Sequence, residues 1–339
     1  MAGQIIIPAA YNPTQQHPPR LSTMRTMGGY LFLEGRKMKY TKPPLAHEQQ
    51  LDQLLQRGMV CANHAQALHY LGHLNYYRLG AYWLPFEANH STHAFRPGTR
   101  LDDVLNLYIF DRELRLLVLD AIERVEVSVR TGWAYTLAHR YGPHAHLDAH
   151  LFKSPARNWE HSQQCHKLEA EARKSHEIFL KHHYQKYDES LPPLWAVVEM
   201  MTLGQLSKWY GNLRHGTDRN AVAHRYDMDE TNLTSFLHHL SIIRNICAHH
   251  SRLWNREFTL TFRLPNHRPH RLVTSLHRED ARRLYNTLTT LAWLLDGINP
   301  QQQWKQRLKN LLTQYSINPQ HMGFPADWLE RPIWHDVTP

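Results

Sequence analysis

Apolar residues recur at helical spacing along most of the chain. Leu51, Leu54 and Leu55 begin a pattern that stops at Arg57-Gly58, where a glycine suits a helix end. Ala65, Leu68, Leu71 and Leu74 predict a second helix, and Asn75-Tyr-Tyr-Arg-Leu-Gly-Ala-Tyr-Trp83 follows as an aromatic cluster around one arginine. From Leu101 to about Arg140, the residues Leu114, Val118, Ala121, Val125 and Val129 advance by threes and fours, which predicts one long helix with a single buried stripe. Gly142-Pro143 ends it. Helical content is expected around residues 155–187. Leu191-Pro-Pro-Leu-Trp195 then opens a helix whose apolar side continues through Leu203, Leu206, Trp209 and Tyr210. A short helix around 218–226, a long one from Glu230 to His250, and two more at about 278–296 and 300–315 complete the series.

One stretch breaks this period. Phe258, Leu260, Phe262 and Leu264 alternate with polar residues, which predicts a strand, with residues 269–274 as its partner in a small hairpin. The expected fold class is therefore mainly α. It comprises an N-terminal helical lobe over residues 42–100, a helical domain over 101–316 with a minor β-hairpin, and a tail over 317–339. Phe324, Trp328 and Trp334 are expected to dock that tail on the domain. Residues 1–41, punctuated by Pro8, Pro13, Pro18 and Pro19, are expected to form a flexible extension.

Composition narrows the picture. The 339 residues are 42% hydrophobic, enough for a sizeable core, and 39 Lys+Arg against 30 Asp+Glu leave a formal charge of +9, which favours a polyanionic partner. Cys61, Cys165 and Cys247 form no CxxC pair, which argues against a disulfide scaffold and suits a reducing cytoplasm. No apolar run approaches the roughly 18–20 residues of a membrane span, and the short apolar stretch near the start lacks a basic leader. A cytoplasmic location and no membrane partner are expected.

The 27 histidines invite a metal reading. His69 and His73 are four apart; His144, His146 and His150 cluster; His182-His183 and His238-His239 are adjacent. None has an HExxH arrangement, and the chain has no glycine-rich phosphate loop and no GxSxG, so neither metal nor cofactor is expected.

The segment that carries chemistry is Leu240-Ser-Ile-Ile-Arg-Asn-Ile-Cys-Ala-His-His-Ser-Arg-Leu-Trp-Asn-Arg256. Upstream, Leu233, Phe236, Leu237, Leu240 and Ile243 supply an apolar helix face. Asn245 and His249 are four apart and share a face, so the Asn245 amide is placed to orient the imidazole. Arg244 and His249 are five apart, about 140° around an ideal helix. A long side chain, a helix end at His249, or a second copy of the chain is needed for both to reach one phosphate. An imidazole for proton transfer and a fixed guanidinium for the phosphorane oxygens suit metal-independent RNA cleavage. The spacing alone is weak, because Arg219-Asn-Ala-Val-Ala-His224 repeats it on a short helix with little apolar support.

The string from Arg244 to His249 resembles the R-N-x-x-x-H motif of HEPN ribonucleases. The chain over roughly residues 42–334 resembles the Abi-like (AbiD/AbiF) abortive-infection family. The further carriers are Asn75-Tyr-Tyr-Arg-Leu79 with Tyr82; Leu107-Tyr-Ile-Phe-Asp-Arg112 with Leu114-Arg115; Glu123, Glu126 and Arg130; Leu194-Trp195 with Glu199 and Gly204; and Met322-Gly-Phe-Pro-Ala-Asp-Trp328. The resemblance implies a HEPN-like helical bundle, a role in bacterial antiphage defence, and an endoribonuclease leaving 2′,3′-cyclic phosphate and 5′-hydroxyl ends. Its implied catalytic residues are Arg244, Asn245 and His249, and its implied partners are RNA, a second copy of the chain in a homodimer, and a small noncoding RNA or antitoxin. The alternatives are a non-catalytic RNA-binding or regulatory protein, and the toxin of a toxin–antitoxin pair.

His250, Arg252 and Arg256 neighbour the motif as RNA-binding candidates. Arg112, Arg115, Glu123, Glu126 and Arg130 form either an RNA-facing, site-supporting surface or an intrahelical charge ladder, and mixed charge favours the ladder. Tyr76, Tyr77, Arg78, Tyr82 and Trp83 either stack bases or pack the N-terminal lobe, with packing favoured.

Overall fold

The computed structural model describes residues 41–153 and 159–335. The expected extension over residues 1–41 lies outside them but for its last residue. Among the described residues the chain forms thirteen α-helices and one small sheet, a mainly α fold. It divides into two compact units at Tyr108/Ile109.

The first unit holds α1 (His47–Gln56), α2 (His64–His73), α3 (Tyr76–Trp83), β1 (Glu87–Asn89), β2 (Ala94–Phe95) and the start of α4 (Leu101–Tyr141). Side-chain caps start two of its helices: Asn63 Oδ1 accepts from Gln66 N–H, and Asn75 Oδ1 from Tyr77 N–H. The aromatic cluster packs. Tyr82 and Trp83 are buried, Trp83 lies edge-on to Tyr76 and Phe95, and Tyr82 lies edge-on to Tyr108. Tyr77 alone of that group is strongly exposed among the aromatics. Strands β1 and β2 pair antiparallel and form the sheet.

In the second unit the predicted stripe of α4, from Leu114 to Val129, is fully buried, and Trp133 and Leu137 extend it. Gly142, at φ +93°, ends the helix in the left-handed conformation that glycine adopts without strain. Beyond it come α5 (His161–Lys174), α6 (Ile178–Lys186), α7 (Leu194–Met200), α8 (Leu203–Gly211), α9 (Gly216–Ala223) and α10 (Glu230–Ala248). The helix expected to run from Leu194 through Tyr210 is broken at Met201-Thr202. Thr202 Oγ1 accepts from Gln205 N–H at 3.2 Å while Gln205 Oε1 accepts from Thr202 N–H at 2.8 Å, a reciprocal cap that starts a new helix. On α10, Leu233, Phe236, Leu237, Leu240 and Ile243 are all fully buried, and the helix packs against α8 and α9. Removing any one of them to alanine is expected to cost about 2–5 kcal/mol.

The strand expected over 258–264 is not formed, and neither is its partner over 269–274. Phe258 and Phe262 do point inward, against His239 and Phe236. The backbone of the segment, however, is bonded elsewhere: Phe258 N–H donates to Arg282 O at 2.8 Å, and side chains of α10 take further groups, with Ser235 Oγ accepting from Arg263 N–H at 2.8 Å, Asn232 Nδ2 donating to Arg263 O at 2.9 Å, and His239 Nδ1 donating to Leu260 O at 3.0 Å. With those groups filled no ladder is needed, and the expected partner strand is instead helix α11 (His270–Ser275) behind Pro269. Helices α12 (Tyr285–Ile298) and α13 (Trp304–Gln314) complete the unit. Phe324, Trp328 and Trp334 are buried against one another and Tyr285, and Trp334 Nε1 donates to Thr289 Oγ1 at 3.3 Å.

Candidate functional site

Helix α10 starts under a strong cap, with Asp229 Oδ1 accepting from Thr231 N–H, and ends at the motif. Arg244 is half-buried and Asn245 exposed, one position apart on its last two turns. His249 is the C-cap: its N–H still donates to Asn245 O at 2.9 Å, but its backbone has left the helix and its imidazole is exposed. His250 turns left-handed, at φ +57°. His250 N–H donates to Cys247 O and Ser251 N–H to Ile246 O, both at 3.0 Å, which closes the helix in the pairing usually built on glycine. The helix end therefore falls at His249, one of the conditions under which Arg244 and His249 escape their 140° separation.

The side-chain amide of Asn245 faces Arg244, whose Nη1 donates to Asn245 Oδ1 at 3.3 Å. Asn245 thus reaches His249 through its backbone carbonyl, and reaches the guanidinium through its side chain.

The chain beyond the motif is held by a residue on α4. Asp111 is fully buried, and its carboxylate accepts Leu253 N–H at 3.1 Å and Trp254 N–H at 2.6 Å. Arg115, one turn on and also buried, donates to the same carboxylate. Arg256 lies near enough to feel Asp111: burial pulls its guanidinium below the usual value and the carboxylate opposes this. Arg256 Nη1 donates to Arg252 O at 2.9 Å, so the Ser251–Arg256 segment is braced from both ends. Asp111 also adds to the burial that pushes the Cys247 thiol up to about 12, which disfavours its thiolate. Asp111 was not among the expected site residues. Its signal was present as a carboxylate one turn before Arg115, but its real partners are backbone groups far along the chain.

The polar face of α4 resolves residue by residue. Arg115 is an internal brace. Arg112 is exposed and pairs with the adjacent Glu113 at 2.6 Å. Glu126 and Arg130 form the expected ladder pair, and Arg130 also donates to Met201 O at the end of α7 and approaches Glu199 at 3.5 Å. Burial raises the Glu126 carboxyl above its ordinary value, opposed by Arg130 and then by Arg244. Glu126 therefore joins the ladder to the motif electrostatically, while Glu123 sits exposed on the same helix.

The second R-N-x-x-x-H match is occupied with structure. Arg219 makes a two-point pair with Glu230, Nε to Oε2 at 2.5 Å and Nη2 to Oε1 at 3.1 Å, and its Nη1 donates to Leu213 O. Only 11% of its side chain is exposed. It staples α9 to the start of α10.

Several histidines are likewise structural. His239 Nδ1 donates to Leu260 O, so Nε2 is the acceptor for Thr287 Oγ1–H at 2.9 Å, and burial pulls its pKa down to about 4. His146 is buried, neither ring nitrogen has a partner among the described residues, and its pKa is pulled down to about 3. Among the described residues no three His, Cys, Asp or Glu side chains are grouped to hold a metal ion. Nor is any of their helices long and apolar enough to cross a membrane.

The geometry is that of an exposed imidazole and a half-buried guanidinium at a braced helix end, in a helical protein. The chain belongs to the Abi-like protein family, whose model matches residues 69–255, more than half of its length. That range takes in Asp111, Arg115, the ladder and the whole motif, and is narrower than the span over which the sequence resembles the family. Neither a curated protein nor a solved structure matches the chain.

Proposed function

We propose that this protein is a metal-independent endoribonuclease of bacterial antiphage defence, built on a HEPN-like bundle. The observation that carries the reading is the end of α10, where His249 stands exposed at the cap beside Arg244 and Asn245 while Asp111 locks the chain behind them. In the proposed reaction His249 takes the proton of a ribose 2′-hydroxyl and the 2′-oxygen attacks the adjacent phosphorus. The bond to the 5′-oxygen breaks and that oxygen collects a proton, leaving a 2′,3′-cyclic phosphate and a 5′-hydroxyl. Arg244 stabilises the charge on the phosphorane oxygens, and Asn245 keeps the guanidinium in place.

Base and acid are two tasks, and each chain places one histidine at the motif position. The proposed working unit is therefore a homodimer in which two α10 ends line one cleft, with Arg252, Arg256 and the exposed Arg112 drawing in the RNA backbone. The decisive experiment maps RNA ends after induction of wild type and the Arg244→Ala/His249→Ala double variant. New 5′-hydroxyl ends in the wild type only support the reading; identical end maps reject it.

One observation favours a second reading. Glu126, close enough to influence Arg244, offsets the charge that the phosphorane of a cleavage reaction would need at that guanidinium, whereas RNA binding can rest on the other arginines. A protein that binds RNA, or an antitoxin partner, without cutting it would show RNA retention that survives His249→Ala and no new ends in either protein.

A further inference from the structure

Helices α5 and α6 carry none of the candidate cleavage residues, yet they build a platform of their own. Glu169 and Arg173 are one turn apart on α5, and Glu169 Oε1 accepts from Arg173 Nε at 2.9 Å and from Nη2 at 2.8 Å. The guanidinium so held lies over the ring of Tyr184 on α6, with Cζ 4.6 Å from the ring centroid. The ring is fixed in turn, because Tyr184 Oη donates to Ser190 O at 3.0 Å. Arg173 remains 55% exposed and lines an open surface pocket of about 300 Å³ together with Ser175, Lys181, Tyr184 and Gln185.

The surrounding charge is mixed, with Glu160, Glu177, Asp188 and Glu189 exposed at the helix ends, and the basic side chains lie along the two helices. Lys167, Lys174, Lys181 and Lys186 are all exposed, whereas Glu169 is engaged by Arg173 and Glu171 accepts from Gln205 Nε2 at 2.7 Å.

A guanidinium plane fixed on an aromatic ring is a stacking surface for a flat heterocycle, and an ammonium beside it is a phosphate partner. We propose that this pocket binds one nucleotide of a single-stranded RNA, the base stacked on Arg173 and the adjoining phosphate paired with Lys181. Ser175 and Gln185 offer hydrogen bonds to the ribose or base edge. The inference rests on RNA being the ligand of this protein, and adds a binding site outside the α10 motif. Exposed Ile178 and Phe179 beside the same lysines also suit an anionic bilayer, but a lipid surface makes no use of a guanidinium braced over an aromatic ring.

The test measures fluorescence anisotropy of a short fluorescein-labelled oligouridylate with the full-length His249→Ala protein, alone and with Arg173→Ala or Lys181→Glu added. Thermal melts check that these exposed substitutions leave the fold intact. The expected result is a loss of affinity of roughly tenfold for each, with a shallower salt dependence for Lys181→Glu. Unchanged affinity in both, no oligonucleotide binding by the parent, or Arg173- and Lys181-dependent binding to phosphatidylglycerol vesicles instead of RNA overturns it. RNA ends from proteins that retain His249 separate the two readings. Binding that depends on Arg173 without any cleavage sinks the nuclease and leaves this site standing, and cleavage with binding indifferent to Arg173 and Lys181 does the reverse.

Discussion

Asp111 on α4 accepts the backbone N–H of Trp254 at 2.6 Å, across 143 positions of sequence. The same carboxylate serves Leu253 N–H and Arg115, so one buried anion satisfies three donors and sets where the chain goes after the motif. Asp111→Ala removes one buried acceptor from all three, in a site with no water-exposed surface at Asp111. A loss of about 3–5 kcal/mol is expected, seen as a lower urea midpoint with unchanged slope. A loss under about 1 kcal/mol would mean that the brace is dispensable.

His249 and Arg244 are predicted to separate activity from stability. His249 is exposed at its cap, so His249→Ala is expected to shift stability by about 0.5 kcal/mol or less. Under the proposed reaction, RNA cleavage should nonetheless fall by about 10²-fold or more, the usual worth of a general acid–base group. Arg244→Lys keeps the charge but loses the planar fork, and is expected to stay well below wild type. Stopped cleavage together with a collapsed melting transition in His249→Ala would assign the residue to folding instead.

The helices were the most legible part of the chain because burial on one side imposes a period. The apolar positions of α10 and the stripe of α4 are buried as that period demands. Period two at Phe258–Leu264 marked Phe258 and Phe262 correctly as inward but misplaced Leu260, which is 57% exposed, and it did not tell what pairs with the backbone, where α10 side chains took part of the place of a second strand. The break before Thr202 was hidden by continuous apolar residues, although a threonine with glutamine three positions later was there to read. Asp111 had no local signal for its backbone partners, since they lie 142 and 143 positions away.

Arg219 is predicted to behave in the opposite way to Arg244. Its pair with Glu230 and bond to Leu213 O are largely shielded from water. Arg219→Ala is expected to cost about 2–3 kcal/mol, with cleavage per folded molecule unchanged. A double-mutant cycle with Glu230→Gln should return a coupling above about 1 kcal/mol. A selective loss of cleavage in a fully stable Arg219→Ala protein would make the second motif functional.

Acid is predicted to weaken the fold through His146 and His239. Both are held below the ordinary 6.5, at about 3 and about 4, chiefly by burial. Between those values and 6.5 the unfolded chain binds protons that the folded chain refuses. The stability is thus fully present above pH 6.5 and is lost as pH falls toward 4. Melting temperature followed from neutral to mildly acidic buffer should decline accordingly. His146→Phe should flatten part of that decline at little cost near neutral pH, because neither ring nitrogen gives up a partner. An equally steep decline in His146→Phe would remove His146 from the account.

The left-handed turn at His250 sets the angle at which the chain leaves His249, and it does so with a residue other than glycine. The helix-closing bonds from His250 N–H to Cys247 O and from Ser251 N–H to Ile246 O require that conformation. A β-branched side chain there crowds its own carbonyl, whereas glycine meets no such obstacle. Comparing His250→Ile with His250→Gly cancels the contribution of the imidazole, which both lack. The isoleucine variant is expected to be less stable by about 1–2 kcal/mol, and to cleave less if the turn positions His249. Equal stability of the two variants would mean that the segment behind the motif can leave α10 by another route, and that the brace from Asp111 acts alone.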